Sequence, residues 1–202
     1  MPERLRVETD GLQIGILGGS FNPAHSGHLH ISELSLDLLS LDEVWWLVSP
    51  RNPLKESAEL APFEDRIVRA IGVTKHEPRI RVSDFERKMG TVYTVDTLES
   101  LLQRYPATRF IWIMGADNLA ELHRWRNWER LFDQVPVAVF DRPTYSFPAL
   151  EGTAARKFAA ERVGRGDAVS LAKMAPPAWT FLWTAFDTAS STAIRTGSDR
   201  TT

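Results

Sequence analysis

His25 and His28 stand three residues apart in the stretch Ile14-Gly15-Ile16-Leu17-Gly18-Gly19-Ser20-Phe21-Asn22-Pro23-Ala24-His25-Ser26-Gly27-His28-Leu29. Two imidazoles on one helical turn can donate hydrogen bonds to phosphate oxygens and stabilise the charge that grows as a phosphate leaving group departs. What precedes them suits that task. Ile14 to Leu17 is a short apolar run, long enough for a buried strand. Gly18 and Gly19 follow at once, and they allow a tight turn with φ > 0 and a close approach to a ligand. Asn22-Pro23 predicts a turn, because proline drives the residue before it out of the α region. An apolar period of helical type, Ile31, Leu34, Leu38 and Leu41, begins beside the histidines. Strand, glycine turn and helix N-terminus together offer an anion free backbone N–H groups and the positive end of a helix dipole.

Other phosphate fingerprints do not fit. No Lys-Ser or Lys-Thr closes a P-loop, and Gly15, Gly18 and Gly19 do not match G-x-G-x-x-G. A solvated polar turn is the plain alternative for an isolated histidine pair; the strand–Gly-Gly–Pro–helix context argues for phosphate instead. A zinc site would need a third protein ligand at least, and the chain has no cysteine and no partner motif, so no metal ligands are assigned.

The stretch reads G-G-S-F-N-P-x-H-x-G-H. It resembles the signature of the nucleotidylyltransferases with a T/H-x-G-H motif, relatives of the class I aminoacyl-tRNA synthetases. Near the other end, Ser190-Ser191-Thr192-Ala193-Ile194-Arg195 resembles the I-S-S-T-x-I-R signature of the nicotinamide/nicotinate mononucleotide adenylyltransferases. The pieces between are similar to bacterial nicotinate-nucleotide adenylyltransferases: Asn52-Pro53-Leu54-Lys55, Tyr93 to Leu98, Gly115 to Leu119 with Trp125 a little later, and Arg142-Pro143. The resemblance thus covers residues 14 to 195.

That resemblance implies adenylyl transfer from ATP to nicotinate mononucleotide, giving deamido-NAD and pyrophosphate, with magnesium carried by the ATP phosphates. It assigns His25, His28, Lys55 and Arg195 to catalysis. ATP would meet Gly18, Gly19, Ser20, Phe21 and the two histidines, then Gly115, Asp117 and Arg142, and finally Ser191, Thr192 and Arg195. The mononucleotide would meet Asn52, Lys55, Tyr93, Thr94, Asp117 and Trp125, with Trp125 stacking on the pyridine ring. Three features depart from the family pattern. Asn22 stands where Asp is usual, Thr144 stands where Gly is common, and the chain runs only seven residues past Arg195. The same chemistry on nicotinamide mononucleotide, phosphopantetheine or FMN is an open alternative, as is a non-catalytic nucleotide sensor.

These residues need a scaffold, and the chain has the material for one. Its 202 residues are 43% hydrophobic, which suits one domain, 1–202, with residues 1–11 and 197–202 frayed. A net charge of −2 without a basic run excludes general attraction to nucleic acid. No apolar run approaches the ~20 residues of a membrane span, so a cytoplasmic enzyme is expected, its oligomeric state open. Seven tryptophans should line pockets as well as fill core.

The hydrophobic runs alternate with helical periods. Strands are predicted at 14–17, 42–49, 80–82, 110–114, 135–140 and 179–183. Helices are predicted after His25, after Pro62 with Phe63, Ile67, Ala70 and Ile71 inward, from a Thr94 N-cap with Val95, Leu98 and Leu102 inward, over about 119–132, near 153–161, and from Ser190. Residues 144–178 are otherwise unassigned, and 83–90 reads as a polar connection. Successive βαβ units imply a Rossmann-like, doubly wound parallel sheet with helices on both faces. In such sheets ligands bind beyond the carboxyl ends of the strands.

Overall fold

Branched and aromatic residues run almost without polar interruption through 14–17, 44–48, 110–114 and 137–140. Strands of that composition are stable only when both faces are covered. The computed structural model describes residues 8–51 and 60–184. Within it, β1 (Gln13–Gly19), β2 (Glu43–Val48), β3 (Ile80–Ser83), β4 (Arg109–Gly115), β5 (Val137–Phe140), β6 (Arg162–Val163) and β7 (Trp179–Leu182) form a seven-stranded sheet. The order is β3-β2-β1-β4-β5-β7-β6 and every pairing is parallel.

Helices α1 (Ser26–Leu38) and α2 (Phe63–Thr74) cover one face, with the 3-10 segment Arg165–Lys173. The other face carries α3 (Phe85–Met89), α4 (Thr94–Arg104), α5 (Ala116–Glu121), α6 (Glu129–Gln134), α7 (Ser146–Leu150) and α8 (Thr153–Lys157). The expected doubly wound α/β sheet is what forms. The order of strand addition reverses between β1 and β4, which lie side by side with Leu17 level with Ile113. The crevice of such a sheet opens there.

Several local expectations change. The stripe that α1 buries is Ser32, Ser35 and Leu36, while Ile31, Leu34 and Leu38 are only partly covered. Both serine hydroxyls donate to carbonyls of their own helix, His28 O and Ile31 O, and Ser32 Oγ also accepts Trp46 Nε1–H at 2.8 Å. Small hydroxyl side chains let the helix lie close against a strand that carries tryptophan.

The helix expected over 119–132 is two helices, with Leu122–Arg124 as a 3-10 turn and a break at Trp125–Trp128. Trp125 is extended and Asn127 sits at φ 51, a conformation asparagine tolerates. Tyr93, not Thr94, is the N-cap of α4, and the polar connection 83–90 contains α3, ended by Gly90 at φ 68. Residues 144–178 hold α7, α8, β6 and 3-10 turns. Of the first eleven residues, Thr9 is buried and hydrogen-bonded to Thr108, and Gly11 N–H donates to Ala107 O. The expected serine-capped helix at 190 and the tail 197–202 lie outside the described residues.

Thr144 adopts φ 70 in the turn after β5. A β-branched residue holds that left-handed backbone at a cost of about 1–2 kcal/mol, which explains why glycine suits the position. Thr144→Gly is expected to raise stability by about 0.5–1 kcal/mol, because glycine's freedom in the unfolded chain takes back part of the gain. A urea midpoint shifted upward at constant slope would verify it.

Candidate active site

Beyond the carboxyl ends of β1, β2, β4 and β5 lies a cleft of about 540 Å³, the size of a small-molecule site. Its first wall begins with Gly18 and Gly19, which remain inside the extended strand β1 and do not make the turn themselves. A side chain at Gly18 would lie 2.4 Å from the Trp112 ring, so glycine is required there by packing. The left-handed turn falls instead on Phe21, at φ 46, with its buried ring stacked 4.8 Å from Trp46. A bulky residue in that region stores strain that the stack holds in place.

The turn delivers the histidines. His25 is the N-cap of α1 and is buried. Gly27 N–H donates to its Nδ1 at 3.1 Å, and His25 N–H donates to His28 Nδ1 at 3.3 Å. This is a capping box built from imidazoles, with ring centroids 3.9 Å apart. An Nδ1 that accepts a hydrogen bond carries no proton, so in each neutral ring the proton sits on Nε2. The backbone thereby selects the tautomer in which Nε2–H is a donor. The first turn of α1 holds no acidic residue, so its dipole is open to an anion.

The facing wall comes from β4 and β5. Gly115 ends β4, and an added methyl there would meet Asp117 Oδ1 at 2.5 Å; only glycine lets that carboxylate fold back. Arg142 Nη1 donates to Asp117 Oδ2, so the two residues expected to contact ATP separately are an ion pair. Asp141 Oδ1 accepts from Thr184 N–H at 2.9 Å and Thr184 Oγ1–H at 2.7 Å, tying β5 to the chain beyond β7.

The third wall is the start of α4. Tyr93 makes no side-chain cap, the guanidinium of Arg126 lies 4.5 Å over its ring, and Thr94 and half-buried Trp125 border the same space.

One cleft therefore brings together Gly18, Gly19, Ser20, Phe21, His25, His28, Tyr93, Thr94, Gly115, Asp117, Trp125 and Arg142. Asn52, Lys55, Ser191, Thr192 and Arg195 lie outside the described residues. Among the described residues no group of three or more His, Cys, Asp or Glu side chains is arranged to hold a metal. Asn22, the Asp-to-Asn departure, accepts Ala61 N–H at 3.1 Å through Oδ1, a role that either side chain can fill.

Sequence reasoning missed Trp112, Arg124, Arg126, Asp141 and Glu86, which also line the cleft. None carries a local motif; each arrives by strand or helix direction alone. Glu86 is the most perturbed of them. Burial pushes its carboxyl from 4.5 up to about 7, partly offset by a hydrogen bond from Ser49. Its buried Oε2 has no hydrogen-bond partner among the described residues.

A carboxyl whose pKa is raised on folding binds its proton more tightly in the native state. Its stability contribution is full below the unfolded value and is lost as pH rises through about 7. Stability should fall by up to about 3 kcal/mol between pH 5 and pH 8, and Glu86→Gln should flatten that fall. Denaturant titrations at a series of pH values give the slope directly.

A family model described as cytidylyltransferase-like matches residues 16–197. A protein of Methylorubrum extorquens named a probable nicotinate-nucleotide adenylyltransferase is 50% identical over 92% of this chain and 100% of its own length. One of the same name from Parvibaculum lavamentivorans is 46% identical over 95% of each chain. The structure of Plasmodium falciparum nicotinic acid mononucleotide adenylyltransferase complexed with NaAD shares the fold. Its TM-score is 0.67 at 17% identity, over 92% of this chain and 83% of that one. The chain belongs to the cytidylyltransferase-like family, among its nicotinate-nucleotide adenylyltransferases.

Proposed function

We propose that this protein transfers AMP from ATP to nicotinate mononucleotide, in the synthesis of NAD. The carrying observation is the histidine pair, whose Nδ1 atoms are both occupied by backbone N–H groups beside an uncompensated helix N-terminus. Such a pair is preset as two Nε2–H donors, suited to phosphates rather than to a metal or a nucleophile.

An oxygen of the mononucleotide phosphate attacks the α-phosphorus of ATP in line. The bond from that phosphorus to the oxygen bridging to the β-phosphate breaks, and pyrophosphate leaves. No covalent intermediate on the protein is needed; the work is positioning and charge neutralisation. His25 and His28 stabilise the α/β-phosphate region. In this reading Lys55 and Arg195 add positive charge, and Ser191-Thr192 bind the outer phosphates.

ATP enters as its magnesium complex. Two cleft carboxylates, Asp117 and Asp141, are already bonded, to Arg142 and to Thr184, and no three His, Cys, Asp or Glu among the described residues are grouped to hold a metal, which favours one held by phosphate oxygens and water. Asp117, opened by Gly115, accepts ribose hydroxyls, while Tyr93, Thr94 and Trp125 seat the pyridine ring and Asn52 borders the mononucleotide. No helix among the described residues is long and apolar enough to cross a membrane, and the reaction is proposed to take place in the cytoplasm.

His25→Ala should lower kcat by about 10²–10³, and it also removes a helix cap worth about 1 kcal/mol. His25→Asn keeps a capping acceptor and should cost turnover alone; near-normal turnover in a folded Asn variant would end the catalytic role.

Pyrophosphate release with magnesium and ATP tests the reaction. Nicotinate mononucleotide should be favoured over nicotinamide mononucleotide by at least about tenfold in kcat/KM, a difference near 1.4 kcal/mol. Equal rates would make the enzyme dual in specificity, and silence with both would favour the nucleotide sensor.

A further inference from the structure

Arg66, near the start of α2, is a cation taken out of water with no carboxylate bonded to it among the described residues. It is 3% exposed. Nη1 donates to Ser20 O at 2.6 Å and Ser49 O at 2.8 Å, Nη2 to Pro50 O at 3.3 Å, and Nε to Ala61 O at 3.1 Å. Four carbonyls from the exit of β1, the exit of β2 and the approach to α2 thus converge on one guanidinium. Burial lowers its proton affinity, partly offset by the field of Glu64, whose own carboxylate is bonded to Arg87. An anchor for carbonyls need not be charged, and a buried unpaired charge is costly. That cost calls for a purpose.

The peptide plane supplies one. A trans peptide holds its C=O and N–H on opposite edges. With the Ser20 carbonyl turned onto Arg66, the Phe21 N–H is turned away from it, at the segment where Ser20 and Phe21 line the cleft. No partner for that N–H is found among the described residues. Phe21 is also the residue in left-handed backbone, so this orientation needs support from behind.

We propose that Arg66 is a positioning residue for the phosphates: it holds the Phe21 amide toward the bound triphosphate and backs it with one unneutralised positive charge. This rests on the adenylyl-transfer reading. Arg66 is not among the residues that line the cleft and acts through the backbone it grips.

Steady-state kinetics of Arg66→Ala and Arg66→Lys, with and without added guanidinium, test the assignment. In Arg66→Ala, kcat should fall about 100-fold and KM for ATP rise about tenfold, while KM for nicotinate mononucleotide moves less than about twofold. Arg66→Lys keeps the charge but cannot reach all four carbonyls, and should lose about tenfold in kcat. Guanidinium at about 20 mM should restore at least about tenfold to Arg66→Ala and nothing to the parent, and methylammonium should restore neither. A folded Arg66→Ala with parental kinetics would overturn the proposal, as would a loss that raises both KM values alike and resists guanidinium. If Arg66→Ala does not fold, Arg66→Lys decides, and parental kcat there counts against the proposal. If the parent turns over no mononucleotide, the adenylyl-transfer reading falls, and equilibrium binding of magnesium-ATP then tests Arg66. Binding about tenfold weaker in Arg66→Lys upholds the positioning role, and equal binding overturns it.

Discussion

An all-parallel sheet must be covered on both faces, and that requirement shapes everything else in this molecule. Each strand has to return through a crossover, and helices lie on both sides of β1 and β2, whose side chains feed two separate hydrophobic cores. The chain winds outward from β1 to β3, then comes back to place β4 on the other side of β1. At that reversal the connections leaving β1 and β4 depart in opposite directions, and a crevice is left between them. Gly18 and Trp112 show how closely the two strands are matched, since the indole occupies the space a side chain at residue 18 would need.

The same edge gathers the groups that a stable core would avoid. Phe21 holds a left-handed backbone, Glu86 keeps a buried carboxyl oxygen with no partner among the described residues, and the buried Arg66 guanidinium donates to backbone carbonyls. Away from this edge, several buried polar groups are bonded: Ser32 and Ser35 bond their helix, Thr9 bonds Thr108, and Trp179 Nε1–H donates to Phe158 O. In the adenylyl-transfer reading proposed above, a bound polyphosphate supplies countercharge to this edge.

The histidine pair shows how local structure becomes chemistry. Histidine is an uncommon N-cap, and here two of them satisfy backbone donors of one helix end. That bonding does more than stabilise α1. It removes the choice of tautomer and orients both rings, with Phe21 and Trp46 packed beside His28. In the proposed function, cap and catalytic donor are the same group, so the element and its activity cannot be varied separately.

Much of this was legible in the residues alone. Runs such as Phe110 to Met114 can only be buried strands, their alternation with helical periods implies βαβ units, and the glycine–proline–histidine stretch points to a phosphate site through residue types at fixed spacing. Those are local properties, set by backbone sterics and side-chain chemistry within a few residues. What stayed hidden depends on neighbours far along the chain. Ser32 and Ser35 displaced leucines from the buried stripe because Trp46 lies opposite; the 119–132 helix broke at Trp125, which borders the cleft, and at Asn127, which takes a left-handed backbone; Asp117 found Arg142 across two strands. Glu86 and Arg66 carry no motif, and only burial turns an ordinary glutamate and arginine into a raised carboxyl and an unpaired internal charge. The sequence by itself determined six of the seven strands, the presence of a turn between β1 and α1, and the family. Tertiary structure alone decided which groups lose their water and which partners they meet, because desolvation and cross-strand contact are properties of the packed chain and not of any segment of it.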